Sequence, residues 1–248
     1  MAYLNGKKVF LPIQVHTEGG GAEYITGYIT NGLIYDFSLQ KYPTYDEVSG
    51  QILSRDTIRT SVNATNDIIY CENAGGGFKV DSAPLIYGLT SFSMSIWFTY
   101  EIRGIQWIFV TGRDASLKMA GLLLDTTSLN YNAYSDDVKS QIAPNANEWC
   151  HACLVQDGTT AKIYVNGELK NSKTMSVTID GNAIATQMGF ALDYASRGKS
   201  ANFLIYNRAL TDTEVLQNYN ATKGYFQTGT NTNTLSNEGD TGGVSFSG

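Results

Sequence analysis

The chain has 248 residues and a net charge of −6, with 42% hydrophobic and only 16% charged residues. That length and apolar content can bury one sizeable core, and the acidic balance leaves no basic stripe with which to displace counterions from nucleic acid. With 25 glycines, 16 tyrosines and four prolines the composition suits a turn-rich all-β protein, and no stretch is apolar for long enough to span a bilayer.

Residues 1–30 read as a segment apart. Tyr3 to Pro12 suits a short hairpin or extended arm, with Lys7, Val9, Phe10, Leu11 and Pro12 as its docking residues, and Gly19-Gly20-Gly21 follows as a hinge. The apolar run behind Lys7 and Lys8 is short and broken by Pro12 and Gln14, unlike a secretory leader. Too few apolar residues are present for this segment to fold alone, so it is expected to be a docking or oligomerisation arm.

The globular part is expected over 31–226. Strands are expected at 32–37, 67–72 and 78–80, with a polar loop carrying Tyr42 and Tyr45 between the first two. From 92 to 100, Phe92, Met94, Ile96, Phe98 and Tyr100 share one face, with Ser93, Ser95, Trp97 and Thr99 opposite. Further strands follow at 105–110, 117–125 and 129–134. Along 148–156, Trp149, His151, Cys153 and Val155 share one face, with Cys150, Ala152 and Leu154 on the other. Cysteines three apart then face opposite ways, which makes them packing residues rather than a redox pair or a metal clamp. Ile163 and Val165 alternate with Lys162, Tyr164 and Asn166, and the Asn166-Gly167 turn reverses the chain. Shorter strands are expected at 177–179 and 188–192, and a last strong one at 201–206.

One helix is marked. Thr211 is its N-cap, Glu214 completes a capping box, and Leu210 and Val215 stand at the staple positions. It should run from Asp212 to about Asn220, with Leu216 and Tyr219 toward the sandwich and Gly224 beyond its end. Residues 227–248, rich in Thr, Asn, Gly and Ser, read as a C-terminal tail.

The runs F-S-x-S-x-W at 92–97, W-x-H at 149–151, K-I-Y-V-N-G at 162–167 and I-Y-N-R-A-L-T-x-x-E at 205–214 resemble the laminin-G-like branch of the concanavalin A-like lectin/glucanase superfamily. The resemblance covers about 32–226. It implies an all-β, concanavalin A-like jelly-roll β-sandwich with one short C-terminal helix, to which this chain adds the N-terminal arm. It also implies a fold that binds more often than it catalyses. The opening N-G-K-K-V is similar to the starts of bacteriophage virion proteins such as head or tail fibres.

Hydrolases of that superfamily carry paired carboxylates as E-x-D-x-x-E, and no such spacing occurs here, so no enzyme is expected. His16 lies in the arm and His151 in a core strand, neither beside a nucleophile and an acid. Sugars dock on aromatic faces with polar groups alongside. Tyr131, Tyr134, Asp136 and Asp137 in one stretch, and Arg113 with Asp114 in another, are therefore the candidate glycan-binding residues. Trp97, Trp107 and Trp149 read as core, although the strand phase of Trp107 is ambiguous. No cofactor is required. The resemblance adds Ca2+ at the sandwich rim, with Asp114 and Asp125 as its candidate ligands.

The expectation is a non-enzymatic phage virion structural protein, a head fibre, capsid decoration or tail adhesin, displaying a lectin-like domain and made in the host cytoplasm. Its expected partners are other virion proteins through the arm, itself as a dimer or trimer, and cell-surface or mucosal glycans, with neither nucleic acid nor membrane among them. The alternatives are a bacterial carbohydrate-binding module or surface adhesin, and a divergent glycoside hydrolase.

Overall fold

The computed structural model describes residues 27–36, 86–113, 115–134, 136–179 and 196–227 in full, and outside these spans the backbone of individual strands. In chain order the strands are β1 (Ala2–Leu4), β2 (Lys7–Val9), β3 (Ile13–Val15), β4 (Glu23–Ile25), β5 (Leu33–Phe37), β6 (Leu53–Arg55), β7 (Thr60–Thr65), β8 (Ile68–Ala74), β9 (Phe78–Val80), β10 (Ser91–Phe98), β11 (Gln106–Gly112), β12 (Met119–Leu124), β13 (Leu129–Asn132), β14 (Val138–Lys139), β15 (Cys150–Asp157), β16 (Thr160–Val165), β17 (Glu168–Thr174), β18 (Ile184–Met188) and β19 (Arg197–Tyr206), followed by helix α1 (Asp212–Phe226).

Two antiparallel sheets form the sandwich. One has eight strands in the order β17-β16-β15-β10-β19-β8-β7, with β5 also on β19, and the other has seven in the order β14-β13-β12-β11-β18-β9-β6. Strand β19 pairs with β10 along one edge. Along its other edge it meets β8 at Arg197 to Ser200 and β5 at Phe203 to Tyr206, the two lying end to end. The hairpins β1-β2 and β3-β4 pair only within themselves among the described strands.

The alternation in β10 sets the layers. Phe92, Met94, Ile96 and Phe98 enter the main core, where they meet Ile108, Phe109, Leu122, Leu129, Leu154 and Ile163. The opposite face of β10 is covered by α1 and the segment before it. Ser93 Oγ donates to the Arg208 carbonyl at 2.9 Å and accepts from Leu210 N–H at 2.9 Å. Trp97 Nε1–H donates to Thr222 Oγ1 at 2.8 Å. Strand β10 is thus buried on both faces, which is why Ser93 and Ser95 are buried beside apolar neighbours.

The cysteines follow the expected phase. Cys150 lies in the main core and Cys153 in a second cluster under α1, both with free thiols. Burial pushes the Cys150 thiol up to about 12 and raises that of Cys153 further, so neither forms a thiolate readily. Asn166 and Gly167 have positive φ values of 51° and 80°, the left-handed pair of a two-residue hairpin turn between β16 and β17.

Helix α1 begins as expected. Thr211 Oγ1 accepts from Glu214 N–H at 3.2 Å, Thr211 N–H donates to Glu214 Oε2 at 2.8 Å, and Leu210 and Val215 are buried together. Such a cap contributes about 1 kcal/mol. The helix runs on to Phe226, past the expected end near Asn220 and straight through Gly224. Tertiary contact outweighs the glycine here. The Phe226 ring stacks on Trp97 at 4.5 Å and meets Trp149 edge-on at 4.9 Å, contacts worth about 0.5–1.5 kcal/mol each beyond their buried area. Leu216, expected to face the sandwich, is 43% exposed.

Other expectations are corrected. Residues 177–179 are not a strand, although Val177 and Ile179 are buried, and the strand expected at 188–192 lies earlier, ending at Met188. The polar run Glu168–Thr174 is an edge strand that the alternation did not reveal. Next to the expected arm boundary, Ile29 N–H donates to Asn218 Oδ1 at 2.7 Å, Tyr206 O–H to the Ile29 carbonyl at 2.9 Å and Gln217 Nε2 to the Gly27 carbonyl at 3.1 Å, which tie residues 27–29 to α1 and β19. In the expected arm, Lys7 and Val9 fall in β2, while Phe10, Leu11 and Pro12 lie outside the described residues, as do His16, Tyr42, Tyr45 and 228–248.

Candidate functional site

At one end of the sandwich the turn between β11 and β12 meets the turn between β13 and β14. Leu117 N–H donates to the Ala133 carbonyl at 2.9 Å, joining them, and Thr178 N–H donates to the Leu117 carbonyl at 3.0 Å from the segment after β17. Two of the six non-glycine residues with left-handed backbone among the described residues sit across that junction, Leu117 at φ 57° and Tyr134 at φ 54°. Such conformations persist only where surrounding contacts over-determine them.

Tyr134 stands at the tip of the rim, 41% exposed. Its N–H donates to Asn132 Oδ1 at 2.9 Å. The Asn132 amide donates in turn to Asp137 Oδ2 at 3.1 Å, and Ala133 N–H to Asp137 Oδ1 at 3.3 Å. Asp137 is half-buried, and burial raises its carboxyl above the ordinary value, although Ala133, Lys139 and Lys173 pull the other way. The neighbouring Asp136 pairs with Lys173 of β17, so one ion pair clasps the two sheets at this end. Arg113 is exposed at the end of β11, its N–H donating to the Lys118 carbonyl at 3.0 Å. Tyr134, Asp136, Asp137 and Arg113 therefore lie at one end of the sandwich. Asp114 lies outside the described residues.

Tyr131 does not join them. It is fully buried between the sheets, and its hydroxyl donates to Gln156 Oε1 at 3.0 Å. It pairs with Leu122 across the ladder and shares the inward face with Leu129, so it offers no ring to a ligand. Asn132 and Lys173 were missed. Asn132 is the outward neighbour of Tyr131 in an L-N-Y-N alternation that could have revealed it, whereas Lys173 stands in a strand whose polar sequence gave no sign.

Asp125, one of the two candidate calcium ligands, is engaged within its own turn. Asp125 and Arg113 stand at opposite ends of β12, whose six residues span about 20 Å. Asp125 already accepts from Thr127 N–H at 2.7 Å, Ser128 N–H at 2.8 Å and Asn130 Nδ2 at 2.8 Å. Burial alone would raise its carboxyl, but those hydrogen bonds bring it down to about 2. A carboxylate held by three N–H donors in this way closes a turn. Among the described residues no three acidic, histidine or cysteine side chains gather as a metal site.

His151 is packed rather than chemically placed. Its ring lies 5.2 Å from that of Trp97 and 5.8 Å from that of Tyr219, and its Nδ1 has no hydrogen-bond partner. Burial holds its imidazole down at about 3. Trp107, 4% exposed, joins Val110 and Met119 in a small cluster separate from the main core.

A family profile described as the concanavalin A-like lectin/glucanases superfamily matches residues 72–216. The chain belongs to that superfamily. Domain 4 of AbnA, a GH43 extracellular arabinanase from Geobacillus stearothermophilus, solved in complex with arabinotriose, is similar with a TM-score of 0.64 and 18% identity, over 75% of this chain and 98% of that one. The binding domain of Paraclostridial Mosquitocidal Protein 1 has a TM-score of 0.60 and 15% identity, over 77% of this chain and 52% of its own. That of botulinum neurotoxin serotype D has a TM-score of 0.59 and 15% identity, again over 77% and 52%. The chain thus spans about half of each toxin domain. At these identities the likeness is one of fold. No curated protein sequence matches the chain. No helix among the described residues is long and apolar enough to cross a membrane.

Proposed function

We propose that this chain is a non-enzymatic glycan-binding domain whose ligand docks on the rim at Tyr134. The observation that carries the reading is the exposed Tyr134 ring on a left-handed, hydrogen-bonded tip, with Arg113 and the Asp136–Lys173 pair at the same end of the sandwich. An aromatic face with charged hydrogen-bonding groups nearby suits a sugar ring, one face of which is apolar and whose edge is hydroxylated. Superfamily membership supports it, as does the arabinotriose bound by the similar arabinanase domain. The non-enzymatic part rests on the acids. Glycoside hydrolysis needs one carboxyl to protonate the leaving oxygen and another to attack or to activate water. Here Asp136 is engaged by Lys173, and Asp137 by Asn132 and Ala133.

A phage virion, as head fibre, capsid decoration or tail adhesin, is the setting we propose for the domain. The two N-terminal hairpins that pair only within themselves among the described strands support an anchoring role. Many copies on one particle would turn weak sugar contacts into firm attachment. The test of the glycan reading is a glycan array followed by calorimetric titration, with arabinotriose among the first ligands, on wild type and Tyr134→Ala. Binding by the wild type and its loss in the variant at unchanged melting temperature are expected. Equal binding by both proteins would move the site elsewhere, and no binding by either would remove the function.

A further inference from the structure

Resting on that reading of the rim, we infer that Asn132 and Asp137 are the positioning residues of the glycan site, and that loss of the Asp137 charge releases Tyr134. The two form a short relay. Asp137 holds the Asn132 amide at 3.1 Å and the Ala133 N–H at 3.3 Å, and Asn132 Oδ1 receives the Tyr134 N–H at 2.9 Å. The amide N–H of Tyr134 is thereby fixed by a side chain two residues back, at a residue whose left-handed φ of 54° an unrestrained chain would abandon. A tyrosine held this way meets a sugar without first being ordered, which removes an entropic cost from binding.

The charges around Asp137 come from each element packed on the turn. Lys139 of β14 and Lys173 of β17 favour its ionised form, and Asp136 beside it opposes it. The β11–β12 turn meets the tip through the Leu117 N–H, with Arg113 and Lys118 on either side of that contact in sequence. Burial is the largest influence and raises the carboxyl, so it takes up its proton under milder acid than an exposed aspartate. A neutral acid accepts more weakly than a carboxylate, and both bonds of the relay loosen together.

The experiment measures hydrogen exchange at the Tyr134 amide, corrected for intrinsic pH dependence, in full-length wild type, Asn132→Ala and Asp137→Asn, beside glycan affinity across the same pH range. In the wild type the Tyr134 amide should be protected at neutral pH, and protection and affinity should fall together on acidification, with a midpoint above that of an ordinary aspartate. Both variants should lose about tenfold in protection at neutral pH, and Asp137→Asn should show a flat pH profile. Exchange at Tyr134 that is the same in all three proteins, or a profile in Asp137→Asn that still follows the wild type, would overturn the inference. If one variant fails to fold, the other and the wild-type pH profile decide. A wild type that binds no glycan refutes the functional reading separately, and the exchange data then decide whether the pair positions Tyr134.

Discussion

Acidification to about pH 5 should weaken this fold through one side chain, His151. The ring is buried against Trp97 and Tyr219 with an unpartnered Nδ1, and it stays neutral down to about 3, against an ordinary value of 6.5. In the unfolded chain the same group takes up a proton below 6.5. The stability it permits is therefore complete above 6.5 and is lost steadily as the pH falls toward 3. Each pH unit inside that window costs about 1.4 kcal/mol, so going from about pH 7.5 to about pH 5 should cost about 2 kcal/mol. That is a large fraction of a typical stability of about 5–15 kcal/mol. Asp125 and Glu214, both held down at about 2, lose their stabilising hydrogen bonds only below the ordinary values of 3.8 and 4.5, and Asp137, whose carboxyl is raised by burial, favours the fold as it takes up its proton, so none of the three adds to the loss ascribed to His151. Urea unfolding followed by tryptophan fluorescence across this range, for wild type and His151→Gln, is the assay. The variant should be less sensitive to pH by about the same 2 kcal/mol. A wild-type loss below about 0.5 kcal/mol, or an identical slope in both proteins, would refute the account of His151 as a neutral core group.

Two other outcomes follow from the packing and the arm. Gly121→Ala should destabilise by about 1–3 kcal/mol in the same urea assay, because its Cβ would meet Trp107 Cζ3 at 2.7 Å and the Phe109 carbonyl at 2.9 Å, and a neutral result would mean that Trp107 is free to move. Native mass spectrometry of the full chain should show a dimer or trimer that becomes a monomer when residues 1–26 are removed, the cut being set by the bonds of residues 27–29 to α1 and β19. Monomers in both cases would end the case for self-assembly through the arm.

The sandwich was legible where side chains alternate cleanly. Phe92 to Phe98 announced its inward face, and the Cys150-to-Val155 phase separated the two cysteines correctly. The N-cap of α1 was equally readable, since Thr211, Glu214, Leu210 and Val215 are local signals. Its C-terminus was not, because Phe226 is held by Trp97 and Trp149, partners distant in the chain. The candidate rim was partly legible. Tyr134, Asp136 and Asp137 do stand together in one turn, but Tyr131 is a core ring, as its shared period with Leu129 could have shown. Lys173 could not be found from sequence, because only the meeting of two sheets brings it to Asp136. Asp125 was hard to read for the converse reason, since its turn partners Thr127, Ser128 and Asn130 engage it through hydrogen bonds that residue types alone do not announce.

Strand β19 has a consequence for synthesis. It lies inside the eight-stranded sheet, yet it is the last strand among the described residues. Leu33 in β5 and Ser93 in β10 both find their ladder partner in Tyr206, so both must wait for it to leave the ribosome. Until then β5, β8 and β10 each present an unpaired edge, and edges of that kind recruit other chains. A nascent chain stalled short of Tyr206 has a sheet open at its centre, and it depends on chaperones or on rapid completion to stay out of aggregates.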